Sequence, residues 1–138
     1  MELISTHAIK GQDLGFNNTL FGGTLLAWLD GDAVAYAMQV CDTNKMVTVL
    51  IDKCIFKRPG KPGQLIKTYA EVKEIGNSSI TLHVEARQHN VYTGSQNTIL
   101  STNIKFVKVD DDGNAIPISD KVKKKVADKQ ASKQSLTK

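Results

Sequence analysis

The 138-residue chain is expected to fold as an α+β domain in which an antiparallel sheet curls around one buried helix. Three observations point there. One long helical segment, Gly22 to Cys41, is apolar over nearly its whole circumference and so calls for other structure around it. Five other segments carry strand patterns, separated by turn-forming residues. Their order is one strand, the helix, then four strands in succession, which favours antiparallel pairing over a layered parallel sheet.

Each element has its own signature. Glu2 to Ile9 reads as the first strand. The helix follows, with Asn18 or Thr19 as its cap and the polar run Asp42 to Asn44 as its stop. Val47 to Phe56, Leu65 to Ile75, Ser79 to His89 and Ile99 to Val109 complete the strands. Alternation is clearest from Ile80 to Ala86 and from Ile104 to Val109. Between them lie Pro59-Gly60-Lys61-Pro62-Gly63, the short Gly76-Asn77-Ser78 connection and a longer loop from Asn90 to Asn97. Residues 1–118 form the domain, and 119–138 read as a lysine-rich tail, mobile or loosely helical.

The net charge of +4 resides in that tail. Residues 119 to 138 hold seven lysines against Asp120 and Asp128, leaving 11 basic and 12 acidic groups, or −1, for the rest. A nearly neutral body argues against a nucleic-acid-binding face. Asp30 and Asp32 interrupt the best apolar run, so no membrane span is expected. Cys41 and Cys54 lack redox or metal spacing, and the first dozen residues contain no secretory pattern, which together fit a reduced, cytoplasmic setting.

Within the helix, Asp30 is the first suspect for chemistry. An ionised carboxylate among Leu25, Leu26, Trp28, Leu29, Ala33 and Val34 is costly and needs a partner, a wet cleft or a job. Asp32, two positions on, points about 200° away and cannot share its face, so a subunit interface or polar pocket is expected for it. At the helix start, Gly22 and Gly23 leave backbone N–H groups open to a ligand, where the helix dipole adds partial positive charge suited to an oxyanion.

The ordered set Asp13-Leu14-Gly15-Phe16-Asn17-Asn18-Thr19-Leu20-Phe21-Gly22-Gly23, Asp30, Val47-Thr48-Val49, Asp52, Phe56-Lys57-Arg58-Pro59, Gly63 and Gly76-Asn77-Ser78-Ser79 resembles the hot dog fold acyl-CoA thioesterases, specifically the acyl-CoA hydrolase subfamily. It covers residues 10 to 118. The resemblance implies a five- to six-stranded sheet wrapped around one long central helix, and hydrolysis of acyl-CoA to coenzyme A and a carboxylic acid. No metal or redox cofactor is implied, because coenzyme A enters as part of the substrate.

By that resemblance the Gly22 amide polarises the thioester carbonyl, and Asp30 acts as general base or nucleophile. Thr48 matches a position whose hydroxyl assists the water or the carboxylate, or is an ordinary strand threonine. Gly15 stands where the family carries an asparagine that orients water. Asn17 or Asn18 takes over that role, or each serves the turn or cap. Lys57, Arg58 and Lys61 face coenzyme A phosphates or belong to a solvated loop; Ser78 and Ser79 match a turn near the nucleotide or are hairpin residues. Trp28, Tyr36 and Met38 are candidates by size to close the acyl tunnel.

Helix geometry adds a constraint. Eight residues separate Gly22 from Asp30, about 12 Å at ~1.5 Å per residue, too far for one thioester to touch both. The site should therefore join Gly22 of one chain to Asp30 of another, around a two-fold axis. The resemblance implies a dimer assembled further into a hexamer, as a trimer of dimers, or a tetramer.

Other signals carry less. His7, His83 and His89 are dispersed, so metal ligation and a histidine base are not expected, which also argues against a hot dog dehydratase. The glycines around Gly22 form neither a dinucleotide nor a Walker loop. Asp110 to Asn114 lacks the downstream glutamate of a calcium loop and reads as a turn. The alternative to hydrolysis is a domain that binds acyl-CoA without cleaving it, and Gly15 is its support.

Overall fold

The computed structural model describes residues 1–136 of the chain. Its elements are β1 (Glu2–Ala8), a short 3-10 turn at Gly11–Asp13, α1 (Gly22–Cys41), β2 (Met46–Phe56), β3 (Leu65–Ile75), β4 (Ser79–His89), β5 (Gln96–Lys108) and α2 (Asp120–Leu136). The strands form one antiparallel sheet in the order β1-β3-β4-β5-β2. The four later strands are therefore not paired in simple succession. β2 crosses to the far side, pairs with β5 and ends the sheet.

One face of this sheet closes on α1. Along β4, Ile80, Leu82, Val84 and Ala86 point inward, while His83, Glu85 and Arg87 alternate outward. The inward set meets Leu25, Leu29, Ala33, Ala37 and Cys41 of α1 and is completed by Ile66, Ala70, Leu100, Ile104 and Phe106. Packing stops short of encircling the helix. Gly23, Ala27, Gly31, Ala35 and Gln39, spaced four apart, form an exposed stripe. The sheet thus wraps α1 as expected, and one face of the helix, mostly glycine and alanine, stays open to the outside in the single chain.

The helix cap also differs from expectation. Phe21, not Asn18 or Thr19, is the cap residue, and no side chain bonds the first-turn N–H groups. At the other end Asp42 takes the left-handed conformation, φ 53°, and its N–H reaches the Met38 carbonyl, as the polar stop at Asp42 implies. β5 begins at Gln96, shortening the preceding loop. The acidic run after β5 is a turn in which the Asp110 carboxylate accepts the N–H groups of Asp112 and Asn114.

Of the two expectations for the tail, mobile or loosely helical, the helical one describes the structure. Asp120–Leu136 form α2, with the Ser119 hydroxyl accepting the Val122 N–H at its start. Val122 and Val126, one turn apart, are buried, and burying a valine contributes about 1.5–3 kcal/mol. Lys123 bonds Asn77, Gln130 bonds the Val72 carbonyl and Lys133 pairs with Glu71, so the lysine-rich helix is tied to the sheet along its length. Thr137 and Lys138 lie outside the described residues. Among the described residues no helix is long and apolar enough to cross a membrane.

Candidate active site

Asp30 faces β2. The Thr48 hydroxyl donates to its Oδ1 at 2.7 Å, which leaves Oδ2 without a partner among the described residues. Asp30 is half-buried and Thr48 exposed, so the carboxylate is fixed on one oxygen and open on the other. The strand places Thr48 there by its register, opposite Phe106 of β5 and just before an irregularity in the ladder between Thr48 and Leu50. A carboxylate oriented through one oxygen and accessible through the other has the geometry of a base for water or of a nucleophile.

Gly22 lies at the opposite end of this face. A cleft of about 340 Å³ is lined by Leu20, Gly22, Leu25 and the Phe56-Lys57-Arg58-Pro59-Gly60 segment, which brings Gly22, Lys57 and Arg58 together. Two contacts hold it in shape. The Leu20 N–H donates to the Gly60 carbonyl at 2.7 Å, and a Cβ on Gly60 would come within 3.0 Å of the Leu20 side chain, so only glycine lets the loop approach this closely. On the other side the Phe21 N–H donates to the Asp13 carbonyl, while the buried Asp13 carboxylate accepts the Lys10 N–H. With its first-turn amides uncapped by side chains and two cations alongside, the cleft is suited to an anion or a developing oxyanion.

Asn17 and Asn18 stand on the exposed turn just before this cleft. Asn18 adopts φ 55° and its N–H donates to the Gly15 carbonyl, so the turn itself accounts for an asparagine there. Neither side chain reaches Asp30 within the described chain. Gly23 is on the exposed stripe of α1. Ser78 and Ser79 occupy the β3–β4 hairpin, where the Ser78 carbonyl accepts the Lys108 N–H and the Ser79 carbonyl accepts the Gly76 N–H. They lie by the Thr48 end of the sheet, since Val107 pairs with both Ser79 and Val47.

The sequence-predicted residues thus divide into two groups. Gly22, Lys57 and Arg58 line one cleft; Asp30, Thr48, Ser78 and Ser79 gather toward the other end of β2. Asp32 belongs to neither. Its Oδ2 accepts hydrogen bonds from Ser5, from His7 Nε2 at 2.9 Å and from the fully buried Thr68 at 3.1 Å, linking α1 to β1 and β3. His7 in turn stacks on Trp28, centroids 4.5 Å apart. This is the polar pocket expected for Asp32 as one of two alternatives; Ser5, His7 and Thr68 carry no motif that would point to it in the sequence. Trp28 and Tyr36, offered by size as tunnel residues, face this side, with the Tyr36 hydroxyl on Glu2 at 3.0 Å.

The terminal strand that carries Thr48 also exposes apolar side chains. Val47, Val49, Leu50, Ile55 and Phe56 of the terminal strand β2 are all exposed, beside the small-residue stripe of α1. Cys41 and Cys54 are free thiols raised above the usual range by burial. No three His, Cys, Asp or Glu side chains gather as a ligand set among the described residues.

Comparison with known proteins gives this geometry a family. Residues 17–95 match the model of the thioesterase superfamily. An uncharacterized acyl-CoA thioester hydrolase of Bacillus subtilis is 26% identical over 85% of this chain and 67% of its own length. Another of Buchnera aphidicola is 28% identical over 59% of each. A hexameric hot dog fold thioesterase of Campylobacter jejuni superposes with TM-score 0.83 at 28% identity, covering 92% of this chain and 97% of that one. With the matched family model extending from the turn before α1 through β4, the chain belongs to the thioesterase superfamily and has the hot dog fold.

Proposed function

We propose that the protein hydrolyses an acyl-CoA thioester to coenzyme A and a carboxylic acid, at a site shared between two copies of the chain. The observation that carries this reading is the Asp30–Thr48 pair, a carboxylate held by one oxygen beside a terminal strand that is exposed in the single chain. In the simplest course the free Asp30 oxygen takes a proton from water as the water oxygen attacks the carbonyl carbon. The Gly22 amide of the other copy stabilises the oxyanion, the C–S bond breaks, and the departing thiolate takes the proton that Asp30 accepted from water. Attack by the carboxylate itself, through a mixed anhydride that water then cleaves, uses the same contacts. Lys57 and Arg58 of the copy that supplies Gly22 would meet the phosphates of coenzyme A, with Ser78 and Ser79 of the other copy nearer its Asp30.

Dimerisation follows from the surface as well as from the 12 Å argument. Five exposed apolar residues on a terminal strand form a template for pairing with another chain, and an α1 face of glycine and alanine permits a close approach. A continuous sheet across a two-fold axis would cover them and bring each Asp30 toward the partner copy's Gly22. The similar Campylobacter jejuni protein is hexameric, and a hexamer built from such dimers is the assembly proposed for this chain. The free thiols fit a reduced, cytoplasmic location.

The test is thiol release from acyl-CoA substrates of increasing chain length, with the wild type beside Asp30→Asn and Asp30→Ala. Wild-type turnover in both variants would reject the assignment of Asp30. A second reading, acyl-CoA binding without hydrolysis, is favoured by one observation: Gly15 stands where the family carries asparagine, and the nearby Asn17 and Asn18 lie exposed on a turn. Tight binding of a short acyl-CoA by pure wild-type protein, with no thiol released, would select it.

A further inference from the structure

A second cavity, of about 500 Å³, opens where α2 crosses the sheet on the side of α1 away from β2. It shares no residue with the Gly22 cleft. Its floor is apolar, from Val40 of α1, Ala70 and Val72 of β3, and Val126 of α2. Its size, about 500 Å³, falls within the ~300–1,000 Å³ of small-molecule sites.

The rim carries the charge. Lys125, Lys129 and Lys133 recur every fourth residue and so project from one face of α2 over the cavity. Lys133 is paired with Glu71 at 3.0 Å, a contact that holds the Glu71 carboxyl below its usual range. The other acidic group in the wall, Glu2, is bonded by Tyr36. Lys125 and Lys129 form no ion pair among the described residues. The walls are also held in place, since Gln130 of α2 donates to the Val72 carbonyl beside a break in the β3–β4 register.

We propose that this cavity binds a single-chain aliphatic carboxylate, its tail between Val40, Ala70 and Val126 and its head at Lys125 and Lys129. An apolar floor beneath two uncommitted cations matches an amphipathic anion. A neutral chain would leave those cations unanswered. The site is independent of the proposed hydrolysis, because none of its residues belongs to the Asp30 or Gly22 groups.

The experiment is a fluorescence titration of the full-length protein with dansylaminoundecanoate, displaced by dodecanoate or dodecanol. Micromolar binding of the probe, with dodecanoate displacing it at least about tenfold more effectively than dodecanol, is expected. The Lys125→Glu/Lys129→Glu double variant should weaken probe binding about tenfold. Ser132→Trp, which plugs the mouth from an exposed position, should weaken it similarly, while Arg58→Glu leaves it unchanged. Circular dichroism melts of each variant establish that α2 remains folded. Absence of probe binding, equal displacement by dodecanol, or weakening by Arg58→Glu but not by the lysine or Ser132 variants would each overturn the proposal.

Discussion

Asp32→Ala tests the separation between two aspartates that sequence distance alone would lump together. Asp32 accepts three hydrogen bonds through one carboxylate oxygen, and Thr68, the deepest donor, is fully buried. Removing the carboxylate leaves that hydroxyl unsatisfied, at a cost of about 1–3 kcal/mol. The Ser5 and His7 contacts, nearer solvent, add roughly 0.5–1 kcal/mol between them. A loss of about 3 kcal/mol follows, and for a domain of this size that lowers the melting temperature by roughly 10 °C. Asp32→Asn keeps an acceptor oxygen at the same position and should lose less than half as much. The assay is urea unfolding of both variants at matched protomer concentration, because association contributes to apparent stability. Asp30→Ala, which breaks only the exposed Thr48 contact, should shift the same curve by less than ~1 kcal/mol. An Asp32→Ala variant as stable as the wild type yet inactive would refute the structural role assigned to Asp32.

Three other outcomes are expected. Gly22→Ala should fold normally, because its Cβ would meet the Phe56 ring at an ordinary 3.4 Å, yet lower turnover at least about tenfold by crowding the amide that faces the carbonyl; melting and thiol-release assays together check this. Val49→Lys, on the exposed apolar strand, should shift sedimentation toward monomer and abolish turnover in parallel. At alkaline pH, stability should fall between about pH 10 and 12. Burial first, then the Glu2 hydrogen bond and nearby carboxylate charge, push the Tyr36 phenol up to about 12, so above pH 10 the unfolded chain releases a proton that the folded one retains. Tyr36→Phe should flatten that decline in pH-dependent melts.

Much of the architecture is legible in residue patterns, and the exceptions have physical causes. The limits of α1, β3 and β4 follow from periodicity bounded by glycine and polar stops. That β2 crosses to pair with β5 does not, because strand order depends on long-range contacts that local patterns do not encode. The open face of α1 is not legible for a related reason: glycine and alanine look the same in sequence whether they are buried or exposed. α2 is obscured by its lysines, since its buried stripe is short, Val122 and Val126 among the described side chains, with Gln130 and Lys133 bonding the sheet. At the site, Asp30 is legible as a charge out of place. Its fixing by Thr48 is not, because it requires a strand 18 residues away in sequence to arrive in the right register.

The shared site is the claim on which the account rests, and complementation of two inactive chains tests it most directly. Asp30→Ala and Gly22→Val, expressed separately, should each be nearly inactive. Expressed together with different affinity tags and allowed to pair at random, half of the dimers contain one chain of each kind. Each such dimer has one site with both Gly22 and Asp30 intact and one with neither, so the mixture should recover about a quarter of wild-type turnover per chain. Turnover no higher than the average of the two parents, in a preparation shown by its tags to contain mixed dimers, would contradict a site built from Gly22 of one chain and Asp30 of its partner.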